Sequence, residues 1–327
     1  MQMKNNRVRT SQYVEKIDIT AIPKETITRY WLKIAEDGLG NPINIPVIVA
    51  KGAKQGKAVG ITAAVHGNEL NGISVIQKLF WELNIKQLKG TIVGIPVVNI
   101  PSYIRNQRRF IDDVDLNHIM PGKENGNVSQ AYTWQVVHKI IHQFDYLVDL
   151  HTASNGRINS YYVRADMNDE VVQKMALLQN AQIIVHNPPS DGTLRGIADE
   201  LGIPAITMEV GDPNLFQKGH IRDGLTGIYN LLSYLSLLDC EIEENDEDTL
   251  ICKKSYWIYT AKGGLLTVHT KLTEVVEKGE KIATLRNIFG DITEEYFAPE
   301  KGVIIGKNVN PVSQTGGRIL HLGILRD

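Results

Sequence analysis

AVGITAAVHGNE, residues 58–69, runs through eight positions that are small or apolar apart from Thr62, into His66, Gly67, Asn68 and Glu69. A short run that is apolar on both faces and rich in β-branched residues is what a strand buried inside a sheet looks like. A helical stretch follows at once. In ELNGISVIQKLFWELN (69–84), Ile73, Ile76, Leu79, Phe80 and Leu83 fall on one stripe. Similar apolar runs recur at TIVGIPVV (91–98), DYLVDL (145–150), AQIIV (181–185) and PAITMEV (204–210). A second amphipathic stretch, 129–144, aligns Val136, Val137, Ile140, Ile141 and Phe144. Alternating strand and helix signals predict an α/β domain with a mainly parallel central sheet and flanking helices.

The flanks read differently. Residues 1–25 form a polar arm, and RYWLKIAED and INIPVIVAK, joined by the turn-forming GLGNP, predict a β-hairpin over 29–52. Seven of the ten residues in DCEIEENDED (239–248) are acidic, which predicts a solvated linker. Beyond it, short runs punctuated by glycine (KGGLLTVHT, VEKGEKIATL, APEKGVIIG, TGGRILHLGIL) carry no long helical pattern. They predict a small all-β C-terminal domain. The expected division is a catalytic domain over 1–245 and a β-rich domain over 246–327. Lys301, in a turn-like PEKG, reads as a plain turn lysine, and the tail aromatics Tyr256, Trp257, Tyr259, Tyr296 and Phe297 read as core or interface.

Composition narrows the function classes. The 327 residues include 35 Lys+Arg and 37 Asp+Glu, a formal net charge of -2, which gives no global attraction for nucleic acid or an acidic membrane. Two cysteines, Cys240 and Cys252, rule out a disulfide-stapled fold and favour a reducing compartment. The polar N-terminus lacks the apolar core of a signal peptide, and no apolar run reaches the roughly 20 residues that span a bilayer. A soluble cytoplasmic protein acting on a small molecule is expected, with no nucleic-acid or membrane partner. Homo-oligomerisation is left open.

Several of the buried runs end in chemistry. His66 and Glu69 follow the first, His151 ends the third, and Glu209 lies near the end of the fifth. The carboxyl ends of strands in an open α/β sheet form the ligand crevice, so these distant residues are expected to converge. Two imidazoles and a carboxylate with an open fourth position make a catalytic zinc arrangement, so Zn2+ is the expected cofactor, one per chain. Asp149, two residues before His151, shares its face and suits the role of orienting that ring. Glu209 suits a general base. A rival pair, His138 and His142 in HKIIH, lacks the glutamate that a zincin needs after its first histidine and reads as helix surface.

HGNE (66–69), RFIDDVDLN (109–117), DLHT (149–152) and MEVG (208–211), in this order, resemble the succinylglutamate desuccinylase/aspartoacylase family, a branch of the zinc carboxypeptidase-like enzymes. The resemblance covers about residues 40–327, tail included. It implies a zinc-dependent hydrolase that removes an N-acyl group from an amino acid or related amine. It also implies His66, Glu69 and His151 as ligands and Glu209 as acid/base. By the same resemblance Arg109 polarises the scissile carbonyl, Asn117 binds substrate, and Arg195 grips a substrate carboxylate. One departure stands out: where the family reads D-L-N-R, this chain has Asp115-Leu116-Asn117-His118, and Met120-Pro121-Gly122 replaces Phe-Pro-Gly. Histidine cannot clamp a carboxylate as arginine does. The substrate is therefore expected to lack one carboxylate or to present it to Arg195, Arg157 or Arg164. His118 stays among the substrate-facing candidates.

Two other functions fit the same residues less well. A carboxypeptidase-type metallopeptidase would use the same metal and base on a peptide C-terminus. A non-catalytic zinc-binding protein would keep the ligands without turnover, yet the base and the arginine are both still present.

Overall fold

The apolar run that begins at Ala58 folds into the strand Lys54–Ala63, near the middle of a 14-stranded sheet. The computed structural model describes residues 10–190, 192–244 and 248–326. The expected 245/246 boundary and residues 1–9 of the polar arm lie outside them. On one side of Lys54–Ala63 stands Lys89–Ile95. On the other stand Tyr146–His151 and then Ala205–Val210, and these four strands run parallel.

Outward from this centre the pairing changes. The hairpin Thr26–Glu36 and Pro42–Lys51 forms as expected and joins Lys89–Ile95 antiparallel. Beyond Ala205–Val210 comes Tyr161–Ala165, antiparallel to it, and then Ile183–His186. The sheet is therefore mixed, where the apolar runs predict mainly parallel pairing. RINSYYVRA (157–165) supplies the antiparallel strand, and its Asn159-Ser160 break and two arginines hide it from an apolar-run search.

Part of the β-rich tail continues this sheet. Leu250–Tyr259 pairs with Ile183–His186, and Arg318–Leu325 and Gly302–Asn308 extend the edge. The short strand Arg157–Asn159 pairs with Gly302–Asn308. A second, four-stranded antiparallel sheet holds Gly264–Val268, Lys281–Arg286, Ile292–Phe297 and Val312–Ser313. Lys301 ends in an ion pair with Glu277 at 2.7 Å.

Alternation along the central strands feeds two cores. Val148 and Leu150 enter one with Ile73, Ile76, Leu79 and Phe80 of the helix Asn71–Glu82 and Leu231 and Leu232 of the helix Lys218–Tyr234. Leu147 enters the other with Val136 and Val137 of the helix Val128–Lys139. Each fully buried aliphatic side chain of this kind contributes about 1.5–3 kcal/mol. Gly60 lets this packing close: a Cβ there would lie 2.1 Å from the Phe144 ring. Among the described residues no helix is long and apolar enough to cross a membrane.

Candidate active site

Three neighbouring strands deliver the site at their carboxyl ends. After Lys54–Ala63 the chain turns tightly, with Glu69 N donating to His66 O at 3.1 Å, and this turn sets both side chains on one side. Gly67 is required there, because a Cβ would lie 2.1 Å from the Ser102 carbonyl carbon. His151 ends the next strand, and Glu209 lies opposite it in register on the third.

His66, Glu69 and His151 meet, all buried, with one ligand atom of each within 4.8 Å of the others. His66 Nδ1 is 2.8 Å from Glu69 Oε1, and His151 Nδ1 is 2.9 Å from Glu69 Oε2. The two Nδ1 atoms face each other at 3.2 Å. Nitrogens bound to one tetrahedral ion at about 2.0–2.1 Å lie about 3.3 Å apart, so this spacing fits such a donor set. The outer nitrogens are both taken: Asp115 Oδ1 lies 3.0 Å from His66 Nε2 and Asp149 Oδ2 lies 2.7 Å from His151 Nε2.

The charges point the same way. Glu69, Asp115 and Asp149 touch the two imidazoles, and Arg108 is the guanidinium among the described residues that touches this group. Burial pushes Glu69 up, but His66 and His151 outweigh it and hold the carboxyl well below its usual range. Burial likewise opposes protonating His151, and Asp149 and Glu69 outweigh that and raise it well above free imidazole. A cluster this negative attracts a cation.

Glu209 sits beside this group without entering it. Its Oε2 accepts from Asn159 Nδ2 at 3.2 Å, and its Oε1 is 3.7 Å from Arg164 Nε. Burial raises its pKa above the ordinary carboxylate value, although Arg164 and His151 pull the other way.

Arg109, the arginine expected to polarise the carbonyl, lines the cavity, and its guanidinium bonds Asp113. Arg109 is half exposed and donates to Asp113 O at 3.0 Å. Arg108 reaches inward instead: its Nη1 donates to Glu69 Oε1 at 3.0 Å and to Ser154 Oγ at 2.7 Å, and its Nη2 lies 3.0 Å from Asp115 Oδ2. Phe110, buried against Tyr132 at 4.8 Å between ring centroids, anchors the segment and the two arginines before it diverge. Nothing in an adjacent Arg-Arg pair tells which one turns in.

Asn117 Oδ1 accepts from Leu194 N at 2.7 Å, pinning the start of the helix Leu194–Glu200. Arg195 donates through Nη1 and Nη2 to Asn187 O and Oδ1, both at 2.6 Å. His118 is mostly exposed, with Nε2 3.8 Å from Asp115 Oδ2. His138 stacks on Trp134 at 4.2 Å and keeps to the helix surface.

His66, Glu69, His151, Glu209, Arg108, Arg109, Asn117, His118 and Arg195 line one cavity of about 610 Å³, together with Arg157, Asn159, Tyr162, Arg164, Trp257 and Arg318. That size suits a small molecule rather than a macromolecule, since such pockets are roughly 300–1,000 Å³. Asn159, Tyr162 and Arg318 carry no signal in the sequence that marks them as lining residues, and Trp257 reads there as core or interface. Trp257 lines the cavity rather than sitting in core.

The family model of the succinylglutamate desuccinylase/aspartoacylase catalytic domain matches residues 55–235. The chain belongs to this family. It is 23% identical over 278 residues to the N-alpha-acetyl-L-2,4-diaminobutyric acid deacetylase of Halomonas elongata, covering 81% of each chain. Over 170 residues it is 28% identical to the succinylglutamate desuccinylase of Pseudomonas paraeruginosa, covering 48% of this chain and 51% of that one. Among solved structures, a product-bound ectoine utilization protein from Ruegeria pomeroyi superposes with a TM-score of 0.84 at 20% identity, over 93% of this chain and 98% of that one. A succinylglutamate desuccinylase/aspartoacylase from Rhodobacter sphaeroides gives 0.83 at 18% identity, over 96% and 100%. The named relatives are deacylases, and the solved structures share this fold.

Proposed function

We propose that the chain is a zinc-dependent deacylase that hydrolyses the amide bond of a small N-acylated amino acid or related amine. The observation that carries this is the His66–Glu69–His151 group, with Glu209 in register beside His151 and Arg108 reaching in beside Glu69. The donor set fits zinc: two imidazoles, one carboxylate and room in the cavity for a further ligand. When bound, the ion supplies Lewis acidity, which lowers the pKa of water to about 7 and polarises the amide carbonyl.

The chain's own residues do the rest. A Glu209 carboxylate oxygen takes a proton from the attacking water and returns it to the leaving nitrogen. Arg108, rather than Arg109, donates to the carbonyl oxygen as negative charge builds there. Asp149 and Asp115 hold the two rings so that Nδ1 of each is the ligand atom. Asn117 and Arg195 brace the cavity wall through Leu194 and Asn187, and His118 stands at its mouth. The strands after residue 250 are assigned to closing the cavity, with the functional boundary near 245/246. Two free thiols, Cys240 and Cys252, support a cytoplasmic location.

The test is a screen of N-acetyl and N-succinyl amino acids, N-alpha-acetyl-L-2,4-diaminobutyrate and N-succinylglutamate included, on protein of known metal content. Amine release that is lost on chelation and restored by zinc is expected. Release of C-terminal residues from peptides in preference to these amides favours the carboxypeptidase reading, and no turnover of either class sinks both.

A further inference from the structure

Six arginines line the cavity, and four of them are engaged. Arg108 holds Glu69 and Asp115, Arg109 holds Asp113, Arg164 holds Tyr162 and faces Glu209, and Arg195 holds Asn187. Among the described residues, the side chains of Arg157 and Arg318 make no hydrogen bond and no ion pair. They converge on one aromatic ring instead: the guanidinium carbons lie 5.4 and 5.1 Å from the centroid of Trp257.

That ring is held from behind. His321 stacks on Trp257 with centroids 5.1 Å apart and planes at 9°, and its Nε2 lies 2.8 Å from Ser255 Oγ. His321 is buried, with no partner on Nδ1. Burial and the nearby Arg164, Arg318 and Arg157 keep it neutral, so it adds no competing charge. Arg157 is partly buried, and burial, Arg318 and Arg108 together lower its pKa to about 10. Two like charges over one ring, without an acid between them, are unfavourable unless an anion completes the arrangement.

We propose that Arg157 and Arg318, seated on Trp257, form a carboxylate subsite that binds the substrate through a carboxylate other than the one created at the scissile amide. The inference rests on the deacylase reading for the identity of that substrate. Carboxylate is the anion that matches: two planar guanidinium forks suit its flat, bidentate shape. The placement agrees. Arg157 lies two residues before Asn159, which holds Glu209, so the subsite opens beside the proposed base. Trp257 and Arg318 come from the strands Leu250–Tyr259 and Arg318–Leu325, so the tail contributes binding residues as well as packing. The clamp lost at His118 is thereby supplied from another wall of the same cavity.

The probe is succinate, with succinamide as its uncharged counterpart, titrated into the chelator-treated full chain while Trp257 emission is followed against a Trp257→Phe control. Succinate is expected to shift that emission and succinamide to leave it unchanged. Arg318→Gln and Arg157→Gln are each expected to raise the succinate Kd by about 10- to 100-fold, the usual cost of losing a hydrogen bond to a charge. Arg318→Lys, which keeps the charge at an exposed position, is expected to recover part of the loss. Equal binding of succinamide, tighter binding of inorganic phosphate, or a Kd unmoved in both glutamine variants overturns the subsite. Turnover separates the two readings. Succinate binding that follows Arg157 and Arg318 without any amide hydrolysis keeps the subsite and removes the deacylase. Hydrolysis with binding indifferent to both arginines does the reverse.

Discussion

Asp149 Oδ2 lies 2.7 Å from His151 Nε2, and both side chains are buried. Its other oxygen accepts from Thr62 Oγ1 at 2.6 Å, so the carboxylate is fixed by the neighbouring strand. A carboxylate beside Nε2 accepts a hydrogen bond from the ring N–H there, which keeps the proton on Nε2 and leaves the lone pair on Nδ1, facing Glu69 and His66. Asp149→Asn keeps the shape and loses this preference, because an amide can donate to Nε2 as well as accept from it. Metal affinity is expected to fall about 10- to 100-fold. Competition against a chelator of known affinity reads it, and an unchanged affinity would show that the tautomer is held by something other than Asp149.

Glu209→Gln separates metal binding from catalysis. Glu209 contacts Asn159 and Arg164 rather than the triad, so the variant is expected to keep its metal. Turnover is expected to drop by about 10²–10⁴, the usual contribution of a positioned base. The pH profile carries a second signature. Burial raises the Glu209 pKa above its reference value of 4.5, and a base works only when deprotonated. kcat/KM is therefore expected to fall as pH drops through that raised value, with its acidic limb above 4.5. Arg164 favours the charged carboxylate, so Arg164→Gln is expected to move the limb to higher pH. A limb that stays put in Arg164→Gln and survives in Glu209→Gln assigns the base to another group.

The two adjacent arginines make a paired test. Arg108→Ala removes the donor that touches Glu69 and Asp115, and kcat is expected to fall about 10²–10³-fold, as for loss of an oxyanion donor. Arg109→Ala removes an exposed ion pair with Asp113, and such pairs contribute about 0–1 kcal/mol. Its activity is expected to stay within a few-fold of the parent. The reverse pattern would restore the role that sequence resemblance gives to Arg109.

Much of this architecture is legible in the chain because buried strands and amphipathic helices write their period into it. The run at 58–65, the stripe from Ile73 to Leu83 and the hairpin at 29–52 are of that kind. What escapes is local geometry. RINSYYVRA (157–165) turns the sheet antiparallel and supplies Arg157, Asn159, Tyr162 and Arg164, but it carries polar residues because it faces a cavity. A cavity wall has no periodic signature. The choice between Arg108 and Arg109 depends on how Phe110 is anchored, a contact with Tyr132 more than 20 positions away. The pairing of Trp257 with Arg157 and Arg318 joins segments far apart in the sequence, so spacing holds no trace of it.

Gly67 ties the site to the stability of the fold. A Cβ at this position would lie 2.1 Å from Ser102 C, 2.2 Å from Tyr103 N and 2.4 Å from Ser102 O, all backbone atoms that cannot swing aside. Gly67→Ala must separate the His66 turn from the 102–103 segment. The expected loss is about 1–3 kcal/mol or more, the range for overpacking a closed interior. Because the same movement carries His66 away from Glu69 and His151, metal affinity is expected to fall with it. Gly38→Ala is the control: nothing lies within 4 Å of its added Cβ. There a stabilisation of about 0.4–1 kcal/mol is expected, from the reduced freedom of the unfolded chain. Urea midpoints of the two variants, measured with and without metal, decide the matter. A Gly67→Ala protein with the parent's midpoint and metal affinity would mean that this turn is free to shift.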